Sequence, residues 1–245
     1  MRNSILLAAV ALLMAACAAP KPKSSPDNVR GTDFVPPPAG SLIVLLPAPQ
    51  TPDLSAGENF MSAQLGSQLR SAGYRVGLLD RANYDEIWAQ EVMAVGGLFD
   101  PATGAPKPLA HGLALSKLAR RVCEEAKCAL LVQQRLVSRS ATLEGSMAEW
   151  DGQARPIPLK NARPGEYRFN GTTRAISVEL VALTAEGKLA FRSYGGLTIR
   201  FQTNMQEAKA EPRPDLFADD RETAEAVQLA LEPLTAGRQR NASGN

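Results

Sequence analysis

One short run limits the architecture more than any other feature of the chain. Residues 41–47 read SLIVLLP, an unbroken apolar stretch halted by Pro47. The stretch is too short for a helix and lacks polar alternation, so it reads as a strand buried on both faces. Such a strand needs cover above and below, and the next residues supply some. Residues 55–72 set Met61, Leu65, Leu69 and Ala72 at helical spacing, with Ser55 at the N-cap and Gly73 just past the end. YRVGLLD (74–80) follows as a second strand. Strand, helix, strand implies parallel neighbours joined by a right-handed crossover, with 41–47 as the central strand.

The pattern continues in kind. Ile87, Trp88, Val92 and Val95 share one side of a predicted helix over 83–95, and GGLFDPATGAPKP reads as a loop. Leu115, Leu118, Ala119 and Val122 stripe a third helix over 109–126, followed by a strand at 128–138. Residues 139–165 are rich in Gly, Pro and polar types without a clear period, and read as a loop insertion or a ragged hairpin. Beyond them Ile176, Val178 and Leu180 alternate with Ser177 and Glu179, and Leu189 and Phe191 do the same in the next strand. Those two strands form an antiparallel hairpin with one wetter face. Gly195-Gly196 inside the second predicts a bulge or a close backbone approach. Asp219 or Asp220 caps a last helix lined by Ala224, Val227, Leu231 and Leu234. The fold class expected is α/β (α+β): a mixed sheet of parallel strand-helix-strand units, an antiparallel C-terminal hairpin and packing helices. One domain spans 40–236, and 237–245 is expected to be a disordered tail.

The first residues concern destination rather than fold. Arg2 precedes an apolar run from Ile5 to Ala16, which ends in Leu13-Met14-Ala15-Ala16-Cys17. About 20 apolar residues are needed to span a bilayer, so a run this short suits a cleaved signal peptide, 1–16. Small residues before a Cys, with a bulky aliphatic ahead of them, resemble the bacterial lipobox, although Met14 stands where Leu is usual. The resemblance implies lipidation of Cys17 and stable anchoring by its acyl chains; the alternative is an ordinary secretory signal with Cys17 incidental. Ala18, where an inner-membrane lipoprotein of the enterobacterial type has Asp, implies the outer membrane, periplasmic face. Residues 17–39, rich in Pro, Ala, Lys and Ser, read as a tether able to reach roughly 60 Å at about 3.1 Å per residue.

Composition removes several classes of function. The 27 basic and 25 acidic residues are interspersed, which is not the clustered basic footprint of a nucleic-acid binder. Cys123 and Cys128, in an oxidising compartment, are expected to be bonded to each other, with two buried free thiols as the alternative. The one histidine, His111, makes a histidine-based triad or a multi-histidine metal site hard to build, and it reads as an exposed helix-start residue. No G-x-S-x-G, H-E-x-x-H, Walker-type, G-x-G-x-x-G or S-x-x-K motif is present. Asp80, Asp85, Glu86 and Glu91 cluster where acids usually complement a helix N-terminus. No catalytic residue, cofactor site or metal site is therefore expected. Phe99, Trp150 and Asp151 lie beside glycines in expected loops, where an aromatic can anchor an interface.

LIVLLP, then LRSAGYRVGLLDRANYDEI, then LARRVCEEAKCALLVQQRL, then LVALTAEGKLAFRS together resemble a group of envelope lipoproteins over residues 40–200. The group holds the penicillin-binding-protein activators, the curli-secretion channel lipoprotein and the amino-terminal domain of the Tol-system propeller protein. The Cys pair replaces their usual Gly-Ala-Asp turn, and GGLFDPATG and AEWDGQARPI have no assignable counterpart. The resemblance implies a non-catalytic, lipid-anchored periplasmic protein that binds another envelope protein. A homo-oligomeric secretion or channel component is the first alternative. A small-ligand binder or hydrolase is the second, and a deep apolar pocket with convergent polar groups would favour it.

Overall fold

The computed structural model describes residues 24–236, so the expected signal peptide, the expected lipidation site Cys17 and residues 237–245 lie outside the described residues. The described chain is mixed α/β. Its strands are β1 (Val29–Arg30), β2 (Leu42–Leu45), β3 (Arg75–Leu78), β4 (Leu130–Gly145), β5 (Met147–Trp150), β6 (Gln153–Pro156), β7 (Leu159–Lys160), β8 (Phe169–Thr184), β9 (Leu189–Ile199), β10 (Phe201–Asn204) and β11 (Lys209–Pro212). Its helices are α1 (Ser55–Ser71), α2 (Arg81–Ala94), α3 (Pro108–Ala126) and α4 (Asp220–Ala230). The main sheet runs β1-β9-β8-β4-β2-β3, and β5 and β6 branch from β4. β2 pairs in parallel with β3 and β4, whereas β4, β8, β9 and β1 are antiparallel. The apolar run is thus the middle of the three parallel strands, but the sheet centre is the β4–β8 pair. Sixteen residues in each make that ladder about 50 Å long at roughly 3.3 Å per residue.

Period-two alternation sends one set of side chains to each face. Ile43, Leu45, Leu130, Val132, Leu136, Val178, Leu180 and Phe191 pack under Met61, Leu65 and Leu69 of α1 and Ala226, Val227 and Ala230 of α4. On the other face Val44, Leu46, Leu131, Val181 and Leu183 meet Ile87 of α2 and Leu115, Leu118, Ala119 and Val122 of α3. Each large aliphatic fully buried this way contributes about 1.5–3 kcal/mol. Gly195 is required by the first arrangement, because a Cβ there would collide with the Ala226 carbonyl oxygen of α4. At Gly196 a Cβ would press on Trp150 and Gln153, and the β8–β9 register shifts beside it, between Ile176 and Ser177. The glycine pair therefore marks both a bulge and a close approach.

Helix ends follow local chemistry. Asp80 caps α2 by accepting from Asn83 N at 2.9 Å, and that backbone hydrogen bond draws its carboxyl below the usual range. Asp219 caps α4 through Arg221 N at 2.8 Å. Ser55 is not the cap of α1; Leu54 holds that place without a side-chain bond. After α3, Lys127 takes a left-handed conformation (φ 55°), which turns the chain so that Cys128 N reaches Cys123 O at 3.2 Å. The two cysteines, 4.5 Å apart at Cα, form a disulfide that joins α3 to the start of β4.

Two expectations are corrected. Residues 139–165 are mostly strand, so of the two readings the loop is corrected and the hairpin holds: β4 continues to Gly145, and β5 and β6 form a tight hairpin turned by Asp151 (φ 39°) and Gly152 (φ 80°). Two positive φ values in a two-residue turn suit the right-handed strand twist. The tether is also shorter than expected, because residues 24–39 dock onto the domain. Ser25 is buried, β1 pairs with β9, Gly31 N donates to Ala190 O at 2.8 Å, and the Phe34 ring lies 5.7 Å from that of Phe191.

Candidate functional site

The face toward α3 is not apolar throughout. α3 covers its first positions, and the β5–β6 hairpin covers the far end with Trp150 against Ala141, Ala148, Ala175 and Ile199. Between the two covers the cross-strand rows read Gln133, Val181, Arg192; then Arg135, Glu179, Tyr194; then Val137, Ser177, Gly196. This is a polar strip set into an otherwise apolar sheet.

Glu179 is its centre, only 2% exposed. A buried carboxylate persists as an ion only when neighbours replace its water. Arg135 Nε hydrogen-bonds one oxygen; the other accepts from Tyr194 Oη at 2.9 Å and lies 3.7 Å from Arg192 Nε. The Glu179 hydrogen bond raises the Arg135 pKa above its already high value, so that guanidinium is charged at any physiological pH. Burial first, and the neighbouring carboxylate second, push the Tyr194 phenol up.

Asp151 is a second buried carboxylate. It binds Arg139 through both oxygens at 2.9 and 3.1 Å, and accepts from Ser177 Oγ at 2.7 Å and Ser25 Oγ at 2.6 Å. Arg139 also pairs with Asp27 and stacks 4.5 Å from the Tyr194 ring centroid. One carboxylate thus joins hairpin, sheet and N-terminal strap.

At the α3 end, the strip opens into a cavity of about 570 Å³ beneath the segment joining α2 to α3. That segment is well tied down. Phe99 bridges Pro106, Lys107 N donates to Leu98 O at 2.7 Å, and Asp100 accepts from Ala102 N and Thr103 N at 3.0 and 2.8 Å. Leu115, Val181, Leu183 and Leu189 supply apolar lining; Arg135, Arg192, Lys107 and His111 supply the polar part. His111 sits within α3, edge-on to the Trp88 ring at 5.5 Å. Burial, then Arg135 and Arg192, lower its pKa, so it is neutral at pH 7. What the arrangement offers chemically is fixed positive charge beside apolar surface.

The residues singled out in the sequence are not brought together. Phe99 is 62% exposed on the α2–α3 segment, as an anchor requires. Trp150 and Asp151 are interior instead: Trp150 Nε1 donates to Ile176 O at 3.3 Å, and Asp151 holds the network just described. Their loop position was a tight hairpin turn, which folds both side chains inward. The acids around α2 are structural: Asp80 caps, Asp85 pairs with Arg81 at 3.7 Å, and Glu91 pairs with Arg121 at 3.7 Å. Sequence reading missed Arg135, Arg192, Arg139 and Tyr194. Their signal was present, since Glu179 alternates with apolar neighbours, but only strand register shows which cations face it.

No family model matches the chain, and no curated protein matches it. Among solved structures, the PelC dodecamer from Paraburkholderia phytofirmans is 10% identical, with a TM-score of 0.39 over 84% of this chain and 94% of that one. A peptide amidase, PAM, in complex with chymostatin is 16% identical, with a TM-score of 0.25 over 81% of this chain and 44% of that one. Neither likeness assigns a fold or a function.

Proposed function

We propose that the chain is a non-catalytic, lipid-anchored protein of the periplasmic face of the outer membrane, which docks onto another envelope protein through the α2–α3 end of the domain. The observation that carries this reading is the exposure of four large apolar side chains around one rigid turn. Met93 ends α2, Phe99 is in the joining segment, and Leu109 (90% exposed) and Leu113 lie one turn apart on the outer face of α3. Apolar residues scattered singly need no explanation, but a cluster of them marks a contact surface. The Cys123–Cys128 disulfide supports an oxidising compartment.

The test is in-cell photocrosslinking from Phe99 and Leu109, with Phe60 on α1 as the control position. Capture of one envelope protein from the first two positions and not from Phe60 supports the reading. Capture of nothing but copies of this chain overturns it in favour of the homo-oligomer. In the same cells Cys17→Ser is expected to move the protein from the membrane to the soluble periplasmic fraction.

A further inference from the structure

We propose that the cavity under the α2–α3 segment is a binding site for a small anionic amphiphile, a single molecule with an acyl or aryl body and a carboxylate, sulfate or phosphate head. This goes beyond the docking surface and does not depend on it. Size comes first: about 570 Å³ lies within the roughly 300–1,000 Å³ typical of a site for one small organic molecule.

Charge comes second. Lys107, Arg135 and Arg192 line the cavity, and no carboxylate is among the described residues that do. Glu179 below offsets one guanidinium, leaving a positive excess beside apolar surface. Arg135 makes its hydrogen bond to Glu179, whereas Arg192 stands 3.7 Å off and keeps donors free for a bound anion. The neutral imidazole of His111 adds a polar edge without competing charge.

Preorganisation comes third. The roof is fixed by the Phe99–Pro106 bridge and by Lys107 Nζ donating to Gly96 O at 2.9 Å. The back wall is fixed by Ser116 Oγ donating to Gly187 O at 2.7 Å, where the β8–β9 turn meets α3 so closely that Gly187 could carry no Cβ. A site that need not order itself on binding keeps more of its interaction energy.

The experiment uses the soluble Cys17→Ser protein and a fluorescent probe, 11-(dansylamino)undecanoate, with its neutral methyl ester and a trimethylammonium counterpart as comparisons. Saturable one-site binding of the carboxylate is expected, with at least about tenfold weaker binding of the ester. Arg192→Gln is expected to weaken the carboxylate by a similar factor, and Lys107→Gln to weaken it by about threefold, with thermal melts verifying that both variants are folded. Phe60→Ser, on the opposite face, should bind as the parent does. The proposal is overturned by absence of saturable binding, by equal binding of all three head groups, or by folded variants that bind like the parent. Anionic phosphatidylglycerol vesicles form the last arm: vesicle binding without binding of the soluble probe would place recognition at the membrane surface and also overturn it.

Discussion

The two faces of the β4–β8–β9 sheet are made by alternate residues of the same strands, yet they are held by different physics. On the α1/α4 side Leu136, Val178, Leu180, Phe191 and Leu197 are all buried under helices. On the α3 side helical cover ends near Val181, and the strip beyond is held by Arg135, Glu179, Arg192 and Tyr194, then by Arg139 and Asp151. A dispersive face gains stability from area, with no demand on geometry beyond packing. A charged strip contributes less, because desolvation offsets most of its Coulomb attraction. What the strip gains is a surface that stays open between its two covers and carries charge. A protein that used every strand face for stability would leave nowhere for a ligand.

Four perturbations would break or sharpen that contrast. Phe191→Ala removes the largest fully buried side chain of the covered face and should cost about 4 kcal/mol, about 12 °C in Tm by calorimetry. Gly195→Ala drives a methyl into the Ala226 carbonyl and must displace α4; about 3 kcal/mol is expected, and a tryptic site newly opened near Arg221 would report the displacement. Reducing Cys123–Cys128 releases a short loop and should cost about 2 kcal/mol, read as a melting shift on adding reductant. If Gly195→Ala melts like the parent, the account of α4 packing is wrong.

These elements were legible to different depths. SLIVLLP identified β2 because an unbroken apolar run has few other uses, and the helical stripes located all four helices within a few residues. The position of β2 within the sheet was not legible, because β4 and β8 extend past it through polar residues such as Ser138, Arg139 and Thr172 that carry no apolar signal. Trp150-Asp151-Gly152-Gln153 did hold a hairpin signal, the Asp-Gly pair, hidden by the surrounding prolines. Residues 24–39 looked like tether since their contacts, the β1–β9 pairing, Ser25 on Asp151, Asp27 on Arg139 and Phe34 on Phe191, leave no periodic trace. The strip was least legible of all: Arg135 and Glu179 are 44 positions apart, and only register makes them neighbours.

The smallest expected effect comes from the strip itself and separates it from the covered face by pH. Tyr194 has its phenol pKa raised above the ordinary 10.0, by burial and then by the Glu179 carboxylate, while Arg192 and Arg139 pull it down. A group whose pKa is raised on folding contributes stability that is fully present below its unfolded value and is lost as pH rises through the folded value. The strip should therefore weaken above about pH 10, through a phenol that lies on this face of the sheet. Tyrosinate absorbance would show the late-titrating phenol, and Tyr194→Phe should abolish that component and flatten the alkaline end of the Tm profile. Should the late component survive in Tyr194→Phe, it belongs to another phenol, such as Tyr84, which burial also pushes up, and the strip would then not be the alkali-sensitive part of the domain.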